Sequence, residues 1–326
     1  MRKTAIFTAA ALGALAAVSI WASPLRYEYE GKWGRRGSGN GEFTNAAGVA
    51  VASGGNVYVT DWALNRVQYF TSSGSYLGQW GTFGTGSGQF NNPAGLEVAA
   101  GGTVYVADYA NFRVQYFTSS GSFLGAWGSK GTANGQFNCP ADVAVAPGGY
   151  VYVADYFNDR VQYFTSSGSY VGGWGSSGTG NGQFNHADGL AVASSGNVYV
   201  GDRWNYRIQY FTSNGSFLGE WGKKGAGDGE FNYTAGVEVA GDGVVFVCDH
   251  LNHRVQYFTS SGSYLGRWGT YGDGDGEFNR PADVVLSPSG GRPYVADKYN
   301  YRVQYFREAN VAVTPTSLGR VRALFR

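Results

Sequence analysis

The run VQYFTSSGSYLG stands at residues 67–78 and returns unchanged at 255–266, with close copies starting at Val114, Val161 and Ile208 and a truncated one at Val303. Each copy follows an aspartate at a fixed step. These are Asp61, Asp108, Asp155, Asp202, Asp249 and Asp297, spaced 47 residues apart except for one inserted residue in the last interval. A period this long encodes one supersecondary unit per repeat. In the second copy, four short runs of alternating character (AGLEVA, TVYVAD, RVQYFTS and SFLGAWG) are separated by glycine-rich joints. This predicts a four-stranded antiparallel sheet. Such a sheet has two apolar faces and can bury neither alone, so six are expected to pack radially as the blades of an all-β, six-bladed propeller.

The ends of the chain indicate how the ring closes. The sixth copy stops after Phe306 without a fourth strand, whereas YEYEGKWG at 27–34 is a fourth strand with no repeat before it. The N-terminal strand is therefore expected to complete the last blade, removing an edge that would invite aggregation. The domain reading is a signal peptide at 1–22, the closing strand at 27–34, the propeller at 43–306 and a tail at 307–326.

Composition agrees with this reading and excludes some partners. Fifty-three glycines and an aromatic content of 16% suit tight turns between short strands with large side chains packed between sheets. Lys plus Arg number 24 against 23 Asp plus Glu, a balance that argues against an electrostatic grip on nucleic acid or an anionic membrane. Arg2 and Lys3, an apolar stretch from Ala5 to Ile20 and small residues at Ala22 and Ser23 form a secretory signal pattern. The body is expected to be secreted, periplasmic or on the cell surface, with no membrane span once the signal is removed; an uncleaved anchor is the alternative. Cys139 and Cys248 fall in non-adjacent blades and read as two lone thiols.

The patterns GxGDGEFNxPAGVxVA and VYVADxxNxRVQYF, followed by a Ser-Gly turn and a WG, resemble the NHL repeat family over roughly residues 27 to 306. The resemblance implies a six-bladed propeller of the kind found in secreted bacterial proteins, sensor domains and the ends of some animal RNA-binding ubiquitin ligases. The zinc-binding cysteines of those ligases are absent. One departure is visible: Leu64 occupies the place held by Asn111, Asn158, Asn205, Asn252 and Asn300, so its turn should be the least regular.

What recurs in every blade reads as scaffold. The six tryptophans at 33, 80, 127, 174, 221 and 268 and the six phenylalanines at 43, 90, 137, 184, 231 and 278 are expected to fill the wedges between blades. The Asp ending each second strand and the Arg opening each third are spaced to pair across the connecting loop. What varies is where a ligand could be recognised. The loops after the aspartates carry Trp62, Tyr109, Phe112, Tyr156, Phe157, Arg203, Trp204, Tyr206, His250, His253, Lys298, Tyr299 and Tyr301. These loops should emerge on the same face as the glycine-rich joints, forming an aromatic surface with a few cations. That suits stacking on sugar rings or peptide side chains and pairing with carboxylates.

Repeats three apart share further detail. Glu97 matches Glu238 and Asp142 matches Asp283, as if a three-blade unit had been duplicated, and these residues should face one another across the central channel. Channel water solvates them in the simplest reading. Calcium is the natural guess if they hold a cation, although no cofactor is expected. The run GDGDGEFN at 272–279 resembles a calcium loop in composition only and reads as a joint. Some six-bladed propellers are metal-dependent lactonases, esterases or lyases. Here His186, His250 and His253 are the only histidines, and no nucleophile-elbow or P-loop motif is present. The expectation is a non-enzymatic module that binds a glycan, peptide or protein on its loop face. A channel-sited metal hydrolase or lyase and a structural surface or matrix protein are the alternatives. The tail GRVRALFR is read as a frayed end or a docking segment.

Overall fold

The computed structural model describes residues 27–309. Within them, 24 strands form six four-stranded antiparallel sheets. In blade 2, Pro93–Val98, Val104–Asp108, Arg113–Phe117 and Phe123–Trp127 follow one another outward from the axis. Blades 1, 3, 4 and 5 repeat this order over Ala46–Trp80, Pro140–Trp174, Ala187–Trp221 and Thr234–Trp268. Blade 6 combines Pro281–Leu286, Pro293–Asp297 and Arg302–Glu308 with the N-terminal Tyr27–Trp33. That closing strand pairs from Tyr27 opposite Glu308 to Trp33 opposite Val303, with a bulge between Tyr29 and Gly31. No helix among the described residues is long and apolar enough to cross a membrane. The expected signal peptide, and the tail beyond residue 309, lie outside the described residues.

The apolar core is divided into six clusters, one between each pair of neighbouring blades. Each fourth-strand tryptophan reaches a third-strand phenylalanine of the next blade, with ring centroids 5.4–5.6 Å apart. All six indole Nε1 atoms are buried without an acceptor among the described residues, so packing alone holds these rings. Five of them abut the glycine of the next blade's Ser-Gly turn. A Cβ on Gly168, for example, would lie 2.6 Å from Trp127 Cδ2. The joint phenylalanines are fully buried, as their recurrence implies.

A second inter-blade link escapes a reading by repeats alone. Tyr58, Tyr105, Tyr152, Tyr199 and Tyr294 each donate a phenolic hydrogen bond to a serine carbonyl in the next blade's Ser-Gly turn, Tyr152 to Ser213 at 2.8 Å. Blade 5 has Phe246 at this position. Its neighbour, blade 6, has no such turn, because its third and fourth strands come from distant parts of the chain. Tyr27 of the closing strand packs there instead, 5.5 Å from Phe246.

The Asp and Arg of each loop do pair, and they anchor the joint beneath the loop face. In blade 2, Asp108 is fully buried. One of its oxygens accepts the Asn91 N–H; the other accepts from Asn111 Nδ2, Arg113 Nε and Gln115 Nε2. The Arg113 guanidinium continues to the joint carbonyls of Thr85, Gly86 and Gln89. Blades 3 to 6 keep the Asp–Arg contact at 2.7–2.8 Å. In blade 1 it opens to 4.0 Å, and Arg66 Nε is buried without an acceptor among the described residues. Leu64 is the cause. Without an amide at that position Asp61 turns both oxygens to the backbone N–H groups of Thr44, Asn45 and Leu64, and the 3-10 turn found in the other five loops does not form.

Candidate ligand pocket at the loop face

The axis of the ring holds two cavities in series. The outer one, about 200 Å³, opens at the loop face. The inner one, about 190 Å³, runs between the innermost strands. Asp142 and Asp283 line both and form the waist between them.

Each loop contributes to the outer pocket through one register position, the residue directly after the blade aspartate. These six are Trp62, Tyr109, Tyr156, Arg203, His250 and Lys298. The aspartate ends its strand at φ near −90°, and the 3-10 turn that follows closes on a left-handed residue, φ 57° at Phe112 and 59° at Tyr301. The first turn residue lines the pocket while the second and fourth line the rim. The thirteen loop residues singled out from sequence therefore separate into two groups. Phe157, Trp204 and Tyr299 stand exposed on the face. Phe112, Tyr206 and Tyr301 lie under Lys130, Lys224 and Arg36 as cation–π pairs, and His253 packs on Tyr271. His186 also belongs to the rim, between Tyr156, Phe157 and Trp204, and does not line the pocket.

The pocket wall has two unlike halves. Blades 1 to 3 supply an aromatic arc, Trp62 to Tyr109 at 4.8 Å and Tyr109 to Tyr156 at 6.2 Å between centroids. Blades 4 to 6 supply nitrogen. Arg203 is bonded to Asp188 and lies 5.5 Å from the Tyr233 ring centroid; burial works against its charge, and the Asp188 carboxylate more than restores it. His250 has Nδ1 3.0 Å from the Pro281 carbonyl, so that nitrogen carries the proton and Nε2 is an acceptor. Burial first, then Arg203 and Lys298, push its pKa down to about 3, which keeps it neutral. Lys298 Nζ stands 5.7 Å from the Trp62 ring centroid. It makes no hydrogen bond or salt bridge among the described residues, and Asp188 acts on it only at longer range. Burial, then the Arg203 charge, lower its pKa to about 8 against the pull of Asp188. Asp188, which lines the pocket, and Tyr233, which packs on Arg203, were not legible as site residues, because they sit on the innermost strand and in a joint and not in the variable loops.

The channel carboxylates serve the scaffold. Asp142 in blade 3 accepts the N–H of Val143 and of Leu190 in blade 4; Asp283 in blade 6 accepts the N–H of Val284 and of Val49 in blade 1. Each thus staples one three-blade half to the other. The other four blades have glycine here, and a Cβ at Gly95 or Gly236 would collide with Asp142 or Asp283. Glu97 accepts from Val98 N–H and Glu238 from Leu286 N–H in the next blade. Burial raises Glu97 to about 7, Glu238 to about 8 and Asp283 to about 7; the Glu97 charge adds to the shift of Glu238, and Asp283 to that of Asp142. No group of three His, Cys, Asp or Glu among the described residues is arranged to hold a metal ion. In the joint at 272–279, Glu277 instead accepts the Gly274 N–H. The two thiols are free.

Comparison with known proteins agrees with this architecture. The NHL repeat model matches residues 90–117, 137–164 and 184–211. No curated protein matches the sequence. Among solved structures, the chain is similar to a protein of unknown function from Bacteroides thetaiotaomicron, at 16% identity and TM-score 0.65 over 86% of this chain and 73% of that one. It is also similar to a gluconolactonase from Xanthomonas campestris, at 13% identity and TM-score 0.63 over 88% of this chain and 98% of that one. Streptogramin B lyase is comparable, at 12% identity and TM-score 0.60 over 88% and 98%. Likeness at this level of identity shows a shared fold.

Proposed function

The chain is a six-bladed β-propeller of NHL repeats, and from that premise we propose that it is a secreted or surface-associated binding module that holds a glycan, peptide or protein on its loop face. One observation carries the reading: six loops place one variable side chain each around a single pocket, over a scaffold that is otherwise nearly the same in every blade. Recognition there combines stacking on Trp62, Tyr109 and Tyr156 with polar contacts to Arg203, His250 and Lys298. Binding is favoured over metal-dependent hydrolysis or lysis because the channel carboxylates are engaged by backbone amides. It is favoured over a purely structural role because the aromatic rim residues Phe157, Trp204 and Tyr299 are left exposed beside the pocket. Nucleic acid is disfavoured as a partner by the acids among the basic groups and by the balanced net charge.

The test is a glycan and peptide array probed with the wild type and a Trp62→Ala/Trp204→Ala variant of unchanged circular dichroism. Signals lost in the variant support the loop face; identical profiles remove it from the account. A stoichiometric divalent ion in the purified protein would move the reading to channel chemistry.

A further inference from the structure

Three kinds of surface meet in the outer pocket, and one class of ligand uses all three. The aromatic arc offers flat apolar faces. The floor and opposite wall offer hydrogen-bond acceptors: the Asp188 carboxylate, the Asp142 and Asp283 carboxyls and the acceptor nitrogen of His250. The Lys298 ammonium lines the pocket half-buried, 5.7 Å from the Trp62 ring centroid, with no hydrogen bond or salt bridge among the described residues. A half-buried cation without a hydrogen-bonding partner carries part of the cost of desolvation, and an incoming anion would relieve that cost.

We propose that this pocket takes a uronic acid residue of an acidic glycan. The C–H face of the sugar stacks on the aromatic arc, its hydroxyls donate to Asp188 and His250, and its carboxylate pairs with Lys298. The proposal rests on the reading of the loop face as a binding site and names the ligand class for it. A neutral sugar would leave Lys298 unpaired. A peptide carboxyl terminus would use Lys298 but offers no ring of hydroxyls to the acceptors. A polyphosphate would meet Asp142, Asp188 and Asp283. The exposed rings of Phe157 and Trp204 flank the pocket and extend the stacking surface to a neighbouring residue of a chain, which favours a polymer over the free sugar acid.

Calorimetric titration of the full chain with trigalacturonate, its methyl ester and free galacturonate tests this. Trigalacturonate should bind at least tenfold more tightly than the uncharged ester, and more tightly than the free acid. Lys298→Met should abolish the preference for acid over ester while leaving ester binding within threefold. Trp62→Ala should weaken both ligands, and circular dichroism should show both variants folded. Equal affinity for acid and ester overturns the acidic class while leaving a saccharide site at the loop face. If no galacturonate ligand binds but array ligands remain sensitive to Trp62→Ala, the uronic acid proposal falls and the loop-face reading stands. A free acid that binds as tightly as the trisaccharide overturns the polymer assignment alone.

Discussion

Replacing Gly168 by alanine should separate backbone strain from packing at the contact that recurs between blades. Gly168 has φ of +91°, and an added Cβ would meet Trp127 Cδ2 at 2.6 Å. Gly149 has a similar φ of +83° but open space around its Cβ position. Gly149→Ala should therefore cost only the backbone term, about 1–2 kcal/mol. Gly168→Ala should cost that plus overpacking of about 1–3 kcal/mol. Trp127→Ala alone removes a large buried ring and should cost about 3–5 kcal/mol. In the double variant the clash has no partner, so Gly168→Ala should fall back to the cost of Gly149→Ala, a coupling of about 1–3 kcal/mol. Urea unfolding of the full chain, followed by far-ultraviolet circular dichroism, measures all four. Equal costs for the two glycine variants, or strict additivity with Trp127→Ala, would refute the claim that the tryptophan is seated against the glycine turn.

Other perturbations test the loop anchors and the channel. Leu64→Asn should restore hydrogen bonds to Asp61 and the Gly37 carbonyl, give Arg66 Nε an acceptor and raise stability by about 1 kcal/mol in the same assay; a loss of stability would contradict the account of blade 1. Asp155→Ala strands Arg160 and should cost about 3–5 kcal/mol, clearly more than Asp61→Ala, whose arginine is already 4.0 Å away. Glu238 is raised from 4.5 to about 8 chiefly by burial, so the folded chain keeps a proton that the unfolded chain releases. Its contribution to stability is full below pH 4.5 and is lost as pH rises towards 8. Between pH 6.5 and 8 stability should fall by about 1 kcal/mol through this group, after allowance for channel water. His250, lowered from 6.5 to about 3, acts in the opposite sense and adds only about 0.4 kcal/mol across that window, because the unfolded imidazole is already half deprotonated at its lower edge. Glu238→Gln should lessen the slope in urea titrations and leave the part carried by Glu97 and Asp283, both raised to about 7; an unchanged slope would show that the proton is not held at Glu238.

The ring, its blade count and its closure by Tyr27–Trp33 were legible because each depends on a pattern repeated within the chain. The tryptophans, the joint phenylalanines and the Asp–Arg pairs followed for the same reason, and even the irregular turn at Leu64 could be read as a missing amide. The site was legible only in part. Sequence brings the loop residues to one face, but whether a side chain enters the pocket or lies on the rim depends on the turn after each aspartate and on the left-handed residue that ends it. Trp62 and Trp204 are one step apart in that register, and the step separates a pocket wall from an exposed rim. The roles of Asp142 and Asp283 were hidden for another reason. Each reaches a backbone amide in the next blade, Leu190 and Val49, and contacts at that separation leave no periodic mark.

The duplicated halves give the pocket its meaning. Where the two three-blade units must meet, they keep the same device: Asp142 and Asp283 make equivalent bonds at the two junctions. At the mouth they do not. Trp62, Tyr109 and Tyr156 of the first half correspond by position to Arg203, His250 and Lys298 of the second, an exchange of ring for nitrogen base in every pair. Ring closure does not require this, since each blade's Asp–Arg anchor lies beneath the turn and is indifferent to the residue that follows. Nor does stability, since half-burying Lys298 with no hydrogen bond or salt bridge among the described residues carries a cost. A symmetric mouth would suit a ligand with matching ends or none at all. A mouth that is aromatic on one side and cationic on the other fits a ligand with an apolar face and an anionic edge, and the carboxylate ester of such a ligand is the probe that distinguishes the two.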